Sequence, residues 1–295
     1  MNKGLWYAVG AYVLWGVLPL YWKALQTVPA IQIVGHRMVW SLIFVGALFV
    51  LKPHWSRFYR VAKNKKVLLI YFAAGSILFF NWFTYVWAVN AGYVVETALG
   101  YFTNPLVYVL LGVLLLRERL RLWQWVAVAS AAGGVLYLTF FYGSLPWIAL
   151  VLAFSFGFYG MVKKVAPLPA LDGLFLETAL LFLPAIFLLF YQEATGSGAF
   201  GHSNLTVTIL LIFTGVATGL PLLWFAAAAR RIPLTTIGVL QYIAPTMQFL
   251  LGVYLYHEPF TADRLTGFSL IWLALLIYTI EGAVERRRSA VQHVN

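Results

Sequence analysis

The stretch NPLVYVLLGVLLLRERL begins at Asn104, and APTMQFLLGVYLYHEPF begins at Ala244. Pro105 matches Pro245, Leu110 and Leu111 match Leu250 and Leu251, Gly112 and Val113 match Gly252 and Val253, and Glu118 matches Glu258, always 140 residues apart. At the same offset Lys23 falls on Lys163, Pro29 and Ala30 on Pro169 and Ala170, Gly75 on Gly215 and Ala88 on Ala228. One unit is written twice, and the fold has to accommodate both copies.

Composition shows what the unit is made of. The chain is 62% hydrophobic and 10% charged, whereas a soluble domain carries roughly 25% charged residues. Apolar runs of about 17 to 22 residues, enough to cross roughly 30 Å of hydrocarbon as a helix, recur throughout. They cover Leu5–Trp22, Ile33–Leu51, Val67–Val89, Val94–Leu116, Leu122–Phe140, Leu145–Val162, Leu174–Tyr191, Val207–Ala229, Thr235–Tyr256 and Leu265–Ile280. The runs are continuous, not alternating, and a helix satisfies its own backbone in lipid, so helices are expected and not barrel strands. The expectation is an all-α membrane protein of ten transmembrane helices.

Five spans per copy is an odd number, so the second copy lies upside down. Residues 1–140 form the first five-helix repeat, 141–285 the inverted second, and 286–295 a basic cytoplasmic tail. Oppositely oriented copies can exchange conformations and open one central site to either side in turn. This predicts a secondary transporter working by alternating access; a channel-like pore or a non-transporting membrane scaffold is the other reading.

The net charge of +11 has a location. With the N-terminus in the cytoplasm, 17 of the 20 basic residues fall on the inside, and Lys23, Arg37 and Arg264 are the others. That asymmetry is the positive-inside pattern with both termini cytoplasmic. The basic balance therefore reports topology and not nucleic-acid binding; the basic, aromatic stretch at 52–66 suits anionic lipid headgroups. The chain has no cysteine, which excludes disulfides and thiolate metal sites. The N-terminal span reads as a retained helix and not as a removed signal peptide. GSGAFG at 196–201 fits a dinucleotide fingerprint by letter only, with no preceding strand, and its loop reads as a flexible connection. No catalytic or nucleotide motif is evident, so the expectation is a non-enzyme without cofactor or metal.

Candidate site residues cluster in two places. Pro105 and Pro245 sit near the middle of spans four and nine and free the carbonyls of Tyr101 and Gln241. Freed carbonyls at membrane depth need protein, water or ligand beside them. Around them lie Tyr101, Thr103, Asn104, Tyr108, Gln241, Tyr242 and Gln248, with Trp15, Tyr21, Asn81, Trp82, Tyr85, Tyr159 and Trp224 completing an aromatic, polar site for a small molecule.

The second cluster is charged. Arg37, inside span two, needs a partner, and Glu96 enters span four from the same face. Glu177, 140 residues after Arg37, lies near the depth of Lys163, Lys164, Arg230 and Arg231 at the opposite mouth. Arg37 with Glu96 and Lys163 with Glu177 are read as outer and inner gates. Glu118 and Glu258 read as loop or packing contacts.

LWGVLPLYWK, HRMVWS, NWFTYVWAVNAG, ETALGYFTNPL, GSLPWIALVLAFSFGFYG and PLTTIGVLQYIAPT closely resemble the RarD branch of the EamA family, in the drug/metabolite transporter superfamily. The resemblance spans nearly the whole chain. It implies a bacterial inner-membrane permease with two EamA repeats, a metabolite or drug-like solute, and a cavity lined by helices one, three, four, six, eight and nine. The branch's name is linked to chloramphenicol sensitivity, which does not supply a physiological substrate. Small multidrug exchangers of the superfamily use a carboxylate in the first helix; spans one and six have none. A coupling ion, the direction of transport and the oligomeric state stay open.

Overall fold

The computed structural model describes residues 3–51, 55–90, 94–142, 147–255 and 262–292. Among them are twelve helices: α1 (Lys3–Ala24), α2 (Ala30–Val50), α3 (Trp55–Ala62), α4 (Lys65–Asn90), α5 (Val94–Leu114), α6 (Leu122–Tyr142), α7 (Trp147–Val165), α8 (Ala170–Ala194), α9 (Leu205–Ala229), α10 (Leu234–Gln241), α11 (Ile243–Tyr254) and α12 (Ala262–Gln292). Each expected apolar run is helical over most of its described length. Eight of these helices are long and apolar enough to cross a membrane; in α5 the apolar stretch Gly100–Leu114 is shorter.

The expected ninth span is broken into α10 and α11. Pro245 has no N–H for the carbonyl of Gln241, and the chain is interrupted at Tyr242, whose N–H bonds to the Val239 carbonyl at 3.2 Å. The equivalent Pro105 lies inside an uninterrupted α5. Equivalent prolines thus give a break in one copy and a continuous helix in the other.

Three further features depart from the sequence reading. A short amphipathic helix, α3, follows α2, held by Phe58, whose ring meets Phe49 at 4.7 Å and Phe175 at 5.7 Å. α12 runs on through residue 292, so the start of the expected tail continues the last helix. The 195–204 connection, expected to be flexible, is anchored. Gln32 Nε2 donates to the Ser197 carbonyl at 2.5 Å, Gln32 Oε1 accepts from Ala199 N–H at 2.9 Å, and Phe200 lies on His36 at 5.2 Å. Asn204 Oδ1 then caps α9 by accepting from Val207 N–H at 2.8 Å.

Helix pairing follows the 140-residue offset. α1 packs on α9 and α11; α7, which occupies the equivalent stretch, packs on α4 and α5. Three contacts join a helix to its own counterpart: α2 to α8, α5 to α10, and α6 to α12. The α2–α8 pair is antiparallel, since Gly35 faces Leu189 while Gly46 faces Phe175. The α6–α12 pair is antiparallel too, with Arg121 reaching Glu281 and Ser130 Oγ donating to the Leu270 carbonyl at 2.8 Å. Ser130 and Leu270 are themselves 140 residues apart.

Small residues permit this closeness, because lipid supplies no hydrophobic drive between helices and packing must do the work. A Cβ at Gly238 would lie 2.6 Å from the Pro105 carbonyl oxygen and 2.9 Å from Tyr108 Cβ, whereas a Cβ at Gly133 meets nothing within 4 Å. Gly238→Ala should therefore lower the thermal unfolding temperature in detergent, by the equivalent of about 1 to 3 kcal/mol of overpacking. Gly133→Ala should leave it unchanged or raise it slightly, since alanine is the better helix former. Equal behaviour of the two variants would mean that the α5–α10 contact is looser than described.

Candidate functional site

A cavity of about 320 Å³ lies inside the bundle. α1 contributes Tyr12, Trp15, Leu18, Pro19 and Trp22, and α2 contributes Arg37; α4 adds Asn81, Trp82 and Tyr85, and α5 adds Gly100, Tyr101 and Asn104. Leu152 and Phe156 of α7, Thr218 and Leu222 of α9, and Gln241, Ala244, Pro245 and Gln248 around the α10–α11 break complete it.

Local sequence fixes each wall. Pro19 removes the N–H that would bond the Trp15 carbonyl, and Gln248 Nε2 takes that carbonyl at 3.1 Å. Asn81 Nδ2 bridges α4 to α7 by donating to the Leu152 carbonyl and to Ser155 Oγ, both at 2.9 Å. Tyr85 and Tyr101 meet edge to face at 5.7 Å. Asn104 and Gln241 are 3% and 5% exposed, and their side-chain oxygens Oδ1 and Oε1 have no hydrogen-bond partner among the described residues. A buried unpaired acceptor is costly, so both suit a donor arriving with a bound molecule.

Arg37 stands in this cavity. Its Nε donates to Thr218 Oγ1 at 2.9 Å, and its guanidinium lies over Trp82 at 4.3 Å and Trp22 at 4.8 Å. No carboxylate among the described residues is within ion-pair distance of it. The Glu96 side chain falls outside the described residues, so the expected Arg37–Glu96 gate stays an expectation. A delocalised guanidinium stacks on aromatic faces, which is why tryptophans hold it here.

The opposite end of the bundle is shut. Lys163 Nζ donates to Glu177 Oε2 at 2.6 Å, with the two side chains 3% and 1% exposed. The ammonium also lies over Tyr159 and Tyr71, at 5.5 and 5.6 Å. Tyr71 Oη accepts from Leu168 N–H at 3.0 Å and ties the α7–α8 connection to α4. Arg230 donates to the Ala166 carbonyl. Glu118 accepts from the N–H groups of Leu234 and Thr235 at 2.7 and 3.0 Å, capping α10, which has no side-chain cap of its own. Lys164 donates to the Ile232 carbonyl at 2.8 Å, and its Nζ lies 3.6 Å from Glu118. Between this end and the cavity, Tyr12, Tyr108, Phe156 and Tyr159 surround Phe225 with ring separations of 5.6 to 6.5 Å.

Of the residues expected at the site, Trp15, Asn81, Tyr85, Tyr101, Asn104, Gln241 and Gln248 line the cavity; Tyr242 does not. Its ring, 2% exposed, packs with Phe102, Val239 and Ile271 on the α6–α12 side, because the residue after Gln241 on a helix turns about 100° away. Tyr108 lies behind the wall, donating to the Phe156 carbonyl at 3.1 Å, and Tyr21 donates to the Leu210 carbonyl. The sequence reading missed Tyr12, Leu18, Pro19, Trp22, Phe156 and Thr218. Spacing from Trp15 would have found Leu18, Pro19 and Trp22, which follow at steps of three and four along one face of α1.

Comparison with known proteins adds to this geometry. Residues 2–140 and 145–280 each match the EamA-like transporter family. A protein of Streptomyces exfoliatus called Protein RarD is 46% identical over 98% of this chain and 91% of its own length. A Bacillus subtilis protein called uncharacterized transporter YojE is 45% identical over 99% of this chain and 98% of its own. A solved structure described only as the crystal structure of a protein shares the fold, with a TM-score of 0.68 at 18% identity over 94% of this chain and 97% of that one.

The buried pair generates a stability prediction. Glu177→Gln leaves Lys163 buried and uncompensated, which should destabilise by about 3 to 5 kcal/mol. Replacing both partners by apolar residues, Lys163→Met with Glu177→Leu, should recover most of that loss in thermal unfolding. A single variant as stable as the parent would show that the pair is solvated.

Proposed function

The chain belongs to the RarD branch of the EamA-like transporter family, and from that premise we propose a secondary transporter that moves a small organic solute by alternating access. It is a multi-pass bacterial membrane transporter. The proposal adds ten spans in two inverted repeats, 1–140 and 141–285, in the cytoplasmic membrane with both termini inside. The antiparallel pairing of α2 with α8 and of α6 with α12 supports the inversion. The positive-inside pattern puts the Lys163 end in the cytoplasm and the Arg37 end outside.

One observation carries the reading. A polar, aromatic cavity is sealed at one end by a buried ion pair, while at the other end Arg37 lines the cavity with no carboxylate among the described residues within ion-pair distance. A site closed on one side and built from repeats that can exchange conformations is what alternating access requires. A channel-like pore needs a polar path through both ends, and the rings around Phe225 with the Lys163–Glu177 pair interrupt it. A metabolite or drug-like compound suits the cavity's size and walls.

Screening metabolites and antibiotics by thermal shift of the purified protein should yield a stabilising ligand, and flux of that ligand into proteoliposomes should saturate. Flux that stays linear with concentration would favour a pore. Asn104→Ala and Gln241→Ala should each weaken the ligand roughly two- to tenfold, the worth of about 0.5 to 1.5 kcal/mol for one hydrogen bond. Tyr242→Phe, behind the wall, should bind as the parent does. Losses confined to Tyr242→Phe would move the site to the α6–α12 side.

A further inference from the structure

The corner between α3 and α4 carries more positive charge than the chain can neutralise there. Arg60, Lys63, Lys65 and Lys66 are all exposed, at the end of α3 and the start of α4. The chain has nine acidic residues. Glu118, Glu177, Glu281 and Glu285 are held by Lys164, Lys163 and Arg121. Glu193 lies at the far end of α8, beside His202. Glu96 and Asp263 fall in the first turns of α5 and α12, helices that run from there toward Glu118 and Glu281, and Glu258 precedes α12 in the chain. Asp172 is the carboxylate that remains for this end, and it can match at most one of these four cations. The excess calls for an anion from outside the chain.

The surroundings suit a phospholipid. Phe58, Val61 and Ala62 turn one face of α3 into the core, whereas Tyr59 is 59% exposed, with the Lys63 ammonium 5.3 Å from its ring centre. A helix with its apolar face inward and aromatic and basic side chains outward belongs at the membrane–water boundary. Beside it, Val50 and Leu51 at the end of α2 and Phe72 of α4 expose apolar side chains fit for acyl chains. Cations at headgroup level next to an apolar wall match an anionic phospholipid better than a soluble anion.

The same helix reaches the closed end. Phe58 meets Phe49 of α2 and Phe175 of α8, and those two rings stack on each other at 4.3 Å. Phe175 lies two residues before Glu177. α3 therefore grips the turn of α8 that carries the buried carboxylate. We propose that α3 and the start of α4 form a binding site for an anionic phospholipid, and that lipid seated there holds α8 in the closed arrangement. The second part rests on the reading of the Lys163–Glu177 pair as a gate.

Phosphatidylglycerol and phosphatidylcholine are titrated into the detergent-solubilised protein, and bound lipid is counted by native mass spectrometry. The parent should prefer phosphatidylglycerol. Arg60→Gln, Lys63→Gln and Lys66→Gln together should weaken its binding at least about tenfold, the lower end of what three cations near a headgroup contribute. Lys3→Gln, Arg117→Gln and Arg119→Gln together remove as much exposed charge elsewhere and should leave binding unchanged. Equal losses in the two triple variants, or displacement of the lipid by soluble glycerol phosphate, would overturn the site. For the gate, spin labels at the exposed positions Leu69 of α4 and Val165 of α7 report the distance across the closed end in nanodiscs. In Glu177→Gln, adding phosphatidylglycerol to phosphatidylcholine should raise the ratio of short to long distances about tenfold, as for a ligand that binds the closed state tenfold more tightly. The Arg60, Lys63 and Lys66 substitutions should abolish that shift. Lipid that binds and leaves the ratio unchanged would overturn the coupling. Short distances alone in Glu177→Gln, whatever the lipid, refute the gate reading and the coupling with it, while the binding comparison still decides the site.

Discussion

The Lys163–Glu177 pair is the interaction on which the arrangement turns. Removing an ammonium and a carboxylate from water costs several kcal/mol per ion, and contact at 2.6 Å is what offsets it. The contact needs the end of α7 and the second turn of α8 to meet beneath Tyr71 and Tyr159, with the loop between them tied down at Leu168. Break it, and each ion is better placed in water than in the bundle. A buried pair of this kind holds one state firmly and is lost as a unit, which suits a gate better than a scaffold.

Backbone satisfaction is the second constraint. Every carbonyl a proline releases inside hydrocarbon must find another donor. At Pro19 the donor is Gln248, which ties α1 to α11 across the cavity. At Pro245 the helix divides at Tyr242 into α10 and α11, and the far end of α10, its N-terminus at Leu234, is capped by Glu118. Glu118 thereby joins the connection after α5 to the closed end, where Lys164 also reaches it.

Much of this was legible in the sequence because its signals are local or periodic. Continuous apolar runs give the helices, the 140-residue offset gives the counterpart pairs, and shared depth groups Glu177 with Lys163, Lys164, Arg230 and Arg231. What was not legible depends on distant partners. A Gly- and Ser-rich loop reads as flexible, yet Gln32, more than 160 residues away in the chain, holds it in place. Matching charges sends Arg37 toward Glu96, whereas the described contacts are two indole faces and a hydroxyl, which carry no charge to match. Tyr242 was drawn into the site by its neighbour Gln241, and one step along a helix was enough to turn it to another face.

The most direct test is the distance between spin labels across the closed end, at the exposed positions Lys65 of α4 and Val165 of α7, measured by pulsed electron paramagnetic resonance in the parent and in Glu177→Gln. If the Lys163–Glu177 pair is the lock of an alternating-access transporter, the parent gives one short distance and the variant adds a longer population as that end opens. A single short distance in both proteins, with the variant still folded, would show that the pair is packing and not a gate.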